Sequence, residues 1–338
     1  MQENTCFPFW VGIDVSKDSF TAAFRSIVRD DETRFPPKDS YAITKAGVRK
    51  LLQWAEGQSG DLCFGIAMET TGVYSRKLAA LIRSASPSQH VAVCNAASVS
   101  LYARSFTEQK SDRSDAELIA RYACDRNPRE PRQKTAAEAR IQELMRERAR
   151  IVDLKTAMGN SGEVLESDDV KEVHAAAIKV LEEAIENLEN LARQTVNSSK
   201  EIKEEIARMT TAPGVAFMSA ACIYGELGSL RNYTRKQMSA MSGVCPVNRV
   251  SGKSVNKHTM SRRGSKLLRR TLFLDSNQAI RMIPAMGELH KRLLAKPNST
   301  KMRAKCACMR KLLLILHAMV VNEMDFRPDY KSEKKLKI

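Results

Sequence analysis

Hydrophobic positions change period along the chain. Phe9, Val11, Ile13 and Val15 alternate with Trp10, Gly12 and Asp14, the period of a strand. Ser16 to Asp18 read as a turn, and Ser19 to Ile27 as the returning strand. From Thr44 to Glu56 the spacing becomes helical, with Val48, Leu51, Leu52 and Ala55 on one face. Leu62 to Met68 is a short apolar run that predicts a buried strand. Val73 to Ile82 predicts a helix, His90 to Cys94 a further strand, and Ser111 to Cys124 a helix with Ser111 as N-cap. Strands followed by alternating strand and helix predict an α/β domain over residues 1–130.

Pro128 and Pro131 mark a break. Beyond it Ile141, Leu144, Met145, Ile151, Val152 and Met158 form one helical stripe, which Gly159 to Gly162 interrupts. Ile178, Leu181, Ala184, Ile185, Leu188, Leu191 and Ala192 form a second. Several recur at seven, so residues 131–210 read as an antiparallel helical hairpin or coiled coil. A helix from Val170 to Met209, if unbroken, would reach about 60 Å. Residues 211–330 are mostly helical in pattern, with helices expected at Ser265 to Arg281 and Met302 to Met324 and a polar loop at Pro246 to Gly264. Residues 331–338 read as a basic tail.

Composition narrows the class. The chain has 338 residues, 43% of them hydrophobic, enough for real cores. No stretch approaches the ~18 uninterrupted apolar residues of a membrane span, and Met1 to Trp10 lacks the basic start of a secretory signal. Eight cysteines without a CxxC pair fit a reducing cytoplasm. Charge then changes the picture. Residues 1–130 hold 17 basic and 16 acidic side chains, 131–210 hold 13 and 16, and 211–338 hold 25 and 7. The whole +16 excess therefore lies in the last third, the footprint of a polyanion partner.

Four acids stand at telling positions. Asp14 sits inside an apolar strand pattern, where a carboxylate is costly unless paired. Glu69 ends a second strand, in Ile66-Ala-Met-Glu-Thr-Thr-Gly72. Asp112 and Asp115 open a helix three residues apart and so share one face. Taken singly, each has an ordinary reading: acids favour a helix N-terminus, and a strand end is a common surface position. Converging carboxylates need a hard cation between them, and Mg²⁺ (or Mn²⁺ in its place) is suited to the task. Two such ions about 4 Å apart serve both the attacking and the leaving oxygen at phosphorus. The order strand-Asp, strand-Glu, helix-DxxD is that of a ribonuclease-H-like nuclease core.

The segments Gly12-Ile-Asp-Val-Ser-Lys17, Met68-Glu-Thr-Thr-Gly-Val-Tyr74 and Lys110-Ser-Asp-Arg-Ser-Asp-Ala116 resemble the DEDD transposases of the insertion sequence 110 family, relatives of the pilin-gene invertases Piv and MooV. The resemblance runs into the last third and covers nearly the whole chain. It departs at Ser111, where the family often has Thr. It implies a RuvC-like α/β domain, a helical coiled-coil middle and a mainly α C-terminal transposase domain. Asp14, Glu69, Asp112 and Asp115 would be the metal-binding tetrad.

In the last third, Met241-Ser-Gly-Val-Cys-Pro246, Arg249-Val-Ser-Gly-Lys253, Ser261-Arg-Arg-Gly-Ser-Lys266 and Leu267-Leu-Arg-Arg270 resemble the family's C-terminal domain, and the resemblance implies that its nucleophilic serine is Ser251. Residue chemistry alone does not separate Ser251 from Ser242, Ser254 or Ser261, because a serine hydroxyl needs an activating base or metal and no His lies closer than His258. Lys253, Lys257, Arg262, Arg263, Lys266, Arg269 and Arg270 suit phosphate contact. Few aromatics are interleaved, which favours backbone contact to a duplex or folded RNA over base stacking. The turn Thr211-Ala-Pro-Gly-Val215 is a weak candidate for phosphate contact through backbone N–H groups. Cys306, Cys308 and His317 read as helix core rather than a zinc site.

The resemblance further implies double-stranded donor and target DNA, a structured non-coding guide RNA, a dimer assembling to a tetramer, and action at the nucleoid. Three other readings stay open: a Piv-type DNA invertase, a Holliday-junction nuclease that activates water, and a non-catalytic nucleic-acid scaffold.

Overall fold

The computed structural model describes residues 7–27, 33–60, 62–70, 72–104, 112–251, 255–261, 264–297 and 299–328; for 112–114, 246–251 and 255–260 only the backbone is described. The chain divides into two compact units, Met1–Gln133 and Lys134–Ile338.

The first unit is a mixed sheet with helices. Its elements are β1 (Phe9–Val15), β2 (Ser19–Ser26), β3 (Thr33–Arg34), β4 (Tyr41–Ala42), α1 (Lys45–Ser59), β5 (Phe64–Glu69), α2 (Val73–Ala85), β6 (Val91–Cys94), α3 (Ala96–Ala103) and α4 (Asp112–Arg126). The strand order is β3-β2-β1-β5-β6, with β4 paired to β2. β1 and β2 are antiparallel, whereas β1, β5 and β6 run parallel. Alternation along β1 divides the core. Phe9, Val11 and Ile13 pack on one face with Leu51, Leu78 and Ile82 of α1 and α2. Trp10 packs on the other face with Ile119 and Ala123 of α4. The unpredicted α3 is eight residues long, buries only Val99, and starts where Asn95 caps the Ala97 N–H. So short an element shows no apolar stripe to find.

The second unit is helical apart from one hairpin. It comprises α5 (Ala136–Gly162), α6 (Asp168–Asn197), α7 (Lys200–Thr210), α8 (Phe217–Leu227), a 3-10 turn (Leu230–Asn232), α9 (Arg235–Met241), β7 (Pro246–Ser251), β8 (Val255–Met260), α10 (Lys266–Met282), α11 (Pro284–Leu294) and α12 (Lys301–Val321). α5 opens on a Thr135/Glu138 capping box. α5 and α6 lie antiparallel, cross-linked by Arg148–Glu189 at 2.6 Å and Lys155–Glu182 at 2.7 Å. Ile141, Leu144 and Met145 of α5 and Ala192 and Val196 of α6 join one core with α7 to α12. Among the described residues no helix is long and apolar enough to cross a membrane.

Three expectations are corrected. α5 runs through Gly159 and Gly162, and a Cβ at Gly162 would crowd the ring of His174, so that glycine admits a side chain from α6. The stretch from Val170 to Met209 is not one unbroken helix: it breaks at Ser198 and Ser199, where the Ser199 hydroxyl caps α7. Residues 246–251 and 255–260, expected as loop, are strands: β7 and β8 form an antiparallel ladder from Pro246↔Met260 to Ser251↔Val255. Their sequence is polar at most positions, so no apolar alternation marks the strands.

Buried polar groups tie the second unit together. Arg146 grips Glu226 bidentately, Nε to Oε1 at 2.7 Å and Nη2 to Oε2 at 2.9 Å. Burial alone would raise that carboxyl's pKa, yet the arginine holds it below its usual value. Glu205 accepts from Ser229 Oγ and the Leu230 N–H, both at 2.7 Å.

Asp275 of α10 is less well served. Ser219 donates to its Oδ1 at 2.7 Å, while its buried Oδ2 finds no partner among the described residues. Burial outweighs that hydrogen bond and pushes the carboxyl up from 3.8 to about 6. The folded state therefore binds the proton more tightly than the unfolded chain. The protonated side chain fits its site fully below about pH 4, and stability falls by about 3 kcal/mol as pH rises toward 6 and above. Asp275→Asn is expected to raise stability at pH 8 by about 1–3 kcal/mol and to flatten this pH dependence. Denaturant unfolding at pH 4.5 and pH 8 checks both; equal loss at the two pH values would contradict the account.

Candidate active site

The site is built on the ends of β1 and β5. Their parallel register pairs Gly12 with Ala67 and Ile13 with Met68, so the next rung sets Asp14 beside Glu69. Ile13 and Met68 face the α1–α2 core, and alternation turns both acids to the opposite face, the one α4 covers. Thr70, the next residue after Glu69, donates both its N–H and its Oγ1 to the Cys94 carbonyl, at 3.0 and 2.8 Å, which anchors that strand end.

α4 lies directly on β1. A Cβ at Gly12 would fall inside the contact radii of Ala116 O and Ala120 N, so helix backbone rests on strand backbone. Only glycine permits this approach. Trp10 meets Ile119 and Ala123, one step back along β1 and further along α4. α4 thus runs opposite to β1, and its first turn, bearing Asp112 and Asp115, lies at the strand end that carries Asp14. Asp14, Glu69 and Asp115 are all half-buried. The Asp112 backbone opens α4, but its side chain and all of Ser111 lie outside what is described. The fold therefore brings three of the four sequence-predicted acids to one edge of the sheet, with the backbone of the fourth at the same helix end.

Negative charge is felt there. The Cys94 thiol, across from Glu69 on β6, is pushed up to about 11, first by burial and then by the Glu69 charge. It is neutral at physiological pH and no nucleophile.

The acids supply hard carboxylate oxygens, the donor type that Mg²⁺ takes. Among the described residues, however, no three His, Cys, Asp or Glu side chains converge closely enough to hold a metal ion. The backbone placement and donor chemistry fit a divalent cation. Closing a coordination shell requires further approach of these side chains or the Asp112 carboxylate.

Ser251 is the last residue of β7, paired with Val255 across the tip of the hairpin. Lys253, Ser254, Arg262 and Arg263 lie outside the described residues, and of Ser251 and Lys257 only the backbone is described. Ser242 is buried and donates to the Ser239 carbonyl at 3.0 Å; Ser261 Oγ is buried too. Lys266 opens α10 and is exposed. Arg269 donates to the Gly264 carbonyl at 3.1 Å, and Arg270 is paired with Asp153 of α5. Of the two described arginines, Arg270 thus already holds a carboxylate partner.

Two weaker candidates resolve into packing. Gly214, at φ 89°, presses on Gln278, Ala279 and Asp275 of α10, with Ala212 and Val215 buried on either side, so the 211–215 turn is a packing element. Cys308 and His317 are buried on α12, and the His317 ring nitrogen lies 2.7 Å from the Tyr233 carbonyl oxygen.

Residues 11–163 match the DEDD transposase family of IS110, and residues 206–291 match the Transposase IS116/IS110/IS902 family. The chain belongs to the IS110 transposase family. The first match spans all four acids; the second spans Ser251 and the seven cations. Among relatives, the pilin gene-inverting protein of Moraxella bovis is 26% identical over 94% of this chain and 97% of its own. The pilin gene-inverting protein of Moraxella lacunata matches to the same extent. The transposase for insertion sequence element IS1111A of Coxiella burnetii is 25% identical over 51% of this chain and 55% of its own. Family membership makes this a DNA recombination enzyme.

Sequence reasoning read Gly12 only as part of a motif. A glycine inside a strand was the available signal for close backbone approach. Gly12→Ala must lift α4 from β1, an overpacking change expected to cost about 1–3 kcal/mol or more. A thermal melt of the variant checks this; an unchanged Tm would contradict the contact.

Proposed function

We propose that this IS110-family recombinase cuts and rejoins DNA through Ser251, working with Asp14, Glu69, Asp112 and Asp115 as a metal-binding tetrad. The observation that supports it most is the register that sets Asp14 beside Glu69 under the acid-bearing end of α4. The mixed sheet, with β2 antiparallel to β1 and β5 and β6 parallel to it, is compatible with a RuvC-like fold, and we read the first unit as one.

In this scheme Ser251 Oγ attacks a DNA phosphodiester. The Oγ–P bond forms, the bond from phosphorus to the leaving sugar oxygen breaks, the serine proton departs and the leaving oxygen gains one. Rejoining reverses these events with a different sugar hydroxyl. Mg²⁺, or Mn²⁺ in its place, would lower the serine hydroxyl's pKa and stabilise the leaving oxygen. The four carboxylates hold and orient that charge. A hairpin tip is an accessible place for a nucleophile that must reach a duplex. Lys253, Lys257, Arg262, Arg263, Lys266, Arg269 and Arg270 hold the phosphate backbone. The serine joins the acids in a composite site assembled between protomers, within a dimer that pairs into a tetramer for strand exchange.

Sequence choice falls to a structured non-coding RNA that pairs with donor and target DNA, leaving the protein to read shape and backbone. The +18 charge of residues 211–338 is compatible with such a partner. A second reading, inversion of a chromosomal segment, draws on the full-length match to the pilin gene-inverting proteins. It shares the chemistry and differs in the DNA acted on.

Recombination of donor and target plasmids, with and without the RNA encoded beside the gene, tests the guide. Ser251→Ala is expected to abolish a denaturant-stable protein–DNA adduct while DNA binding persists, and Asp14→Asn to abolish cleavage. Full cleavage by Ser251→Ala would leave metal-activated water as the nucleophile. Neutralising Lys266 is expected to weaken DNA binding uniformly across sequences and to lower the salt slope by about 1.

A further inference from the structure

The Gly12 contact sets the height of α4 over the sheet, and Ile119 and Ala123 seat the helix against Trp10. A polar chain on the sheet edge adds a directional restraint on another side of the helix. Arg25, a buried arginine of β2, donates from Nη1 to Thr33 Oγ1 at 2.9 Å. Thr33 Oγ1 in turn donates to Glu117 Oε1 of α4 at 2.8 Å. The direction is forced: a guanidinium only donates, an ionised carboxylate only accepts, and the single hydroxyl between them does both. Two residues further on, Phe35 packs against Ala116 and Ala120. The segment from Thr33 to Phe35 is thus a strap, hydrogen-bonded and apolar by turns, across the stretch of α4 that follows Asp115.

Resting on the reading of the acids as the catalytic tetrad, we propose that Thr33 is a positioning residue for strand cleavage: its hydroxyl couples Arg25 to Glu117 and so fixes the rotation of the α4 turn that presents Asp112 and Asp115. Glu117 lies about 200° around the helix from Asp115, so a restraint on one acts as a lever on the other. The chain is built for this. An arginine buried in a strand is costly without partners, and here one of its donors engages the short edge strand whose hydroxyl reaches α4. Neither the strap nor Glu117 belongs to the acid motif.

Thr33→Val keeps the branched shape and strand preference and removes only the hydroxyl; Thr33→Ser keeps the hydroxyl. Two quantities are measured on each full-length variant: binding of Mn²⁺ alone to DNA-free protein by electron paramagnetic resonance, and kcat and KM for strand cleavage. Thr33→Val is expected to weaken Mn²⁺ binding by about tenfold or more and to lower kcat about 10–100-fold, with KM for DNA unchanged. Thr33→Ser is expected to restore both, and Glu117→Met, which breaks the same hydrogen bond from the other side, to repeat the valine effect. Wild-type Mn²⁺ binding and kcat in Thr33→Val, or a serine variant as impaired as the valine, overturns the proposal. Asp115→Asn serves as the reference. If it still cleaves, the tetrad reading fails; if it is dead while Thr33→Val is wild type, the positioning role alone fails.

Discussion

The contact of α4 with β1 at Gly12 is the constraint on which the acidic site depends. Two backbones meet there without intervening side chains, so neither the height nor the axial position of the helix can drift. Small residues on the helix, Ala116 and Ala120, complete the fit. Because α4 runs opposite to β1, the closest approach near Gly12 carries the first turn of the helix to the end of the strand. Asp14 is two residues beyond that glycine and Asp115 one before Ala116. An acid-bearing helix end and an acid-bearing strand end are thereby held at the same edge by a packing contact that involves none of the acids.

The parallel pairing of β1 with β5 supplies the other half. Side chains in a sheet alternate, so a slip of one residue would turn Glu69 toward the α1–α2 core, among Leu51, Leu78 and Ile82. The cost of burying a carboxylate there makes the register self-enforcing. The second unit pairs several of its cations with carboxylates: Arg146 with Glu226, Arg148 with Glu189, Lys155 with Glu182 and Arg270 with Asp153. Among the described residues Lys266 has no such pair, and it is exposed at the start of α10, the helix that follows the hairpin carrying Ser251.

Much of the first unit was legible in the chain. The alternation around Asp14, the short apolar runs ending at Glu69 and Cys94, and the helical spacing after Thr44 each mark an element that is present, because burial of one face repeats at the period of the backbone. Legibility failed where burial does not set the pattern. The β7–β8 hairpin is polar at most positions. α3 is a single short helix. The break at Ser198 and Ser199 interrupts the backbone while the apolar stripe continues from Val196 to Ile202, so periodicity passes straight over it. Gly159 and Gly162 looked like an interruption and are instead helical, one of them making room for His174.

Residue order alone determined the candidate chemistry: which carboxylates sit at strand and helix ends, where the cations gather, and which motifs mark an IS110-family enzyme. These are local properties, written in composition and spacing. Tertiary structure decided what the spacing could not, namely that Asp14 and Glu69 are neighbours across a parallel ladder, that α4 descends antiparallel onto Gly12, and that Arg25, Thr33 and Glu117 meet across 92 residues of chain. Strand order, helix direction and long-range hydrogen bonds follow from how faces pack against each other, and no period within a single segment encodes the partner it will find.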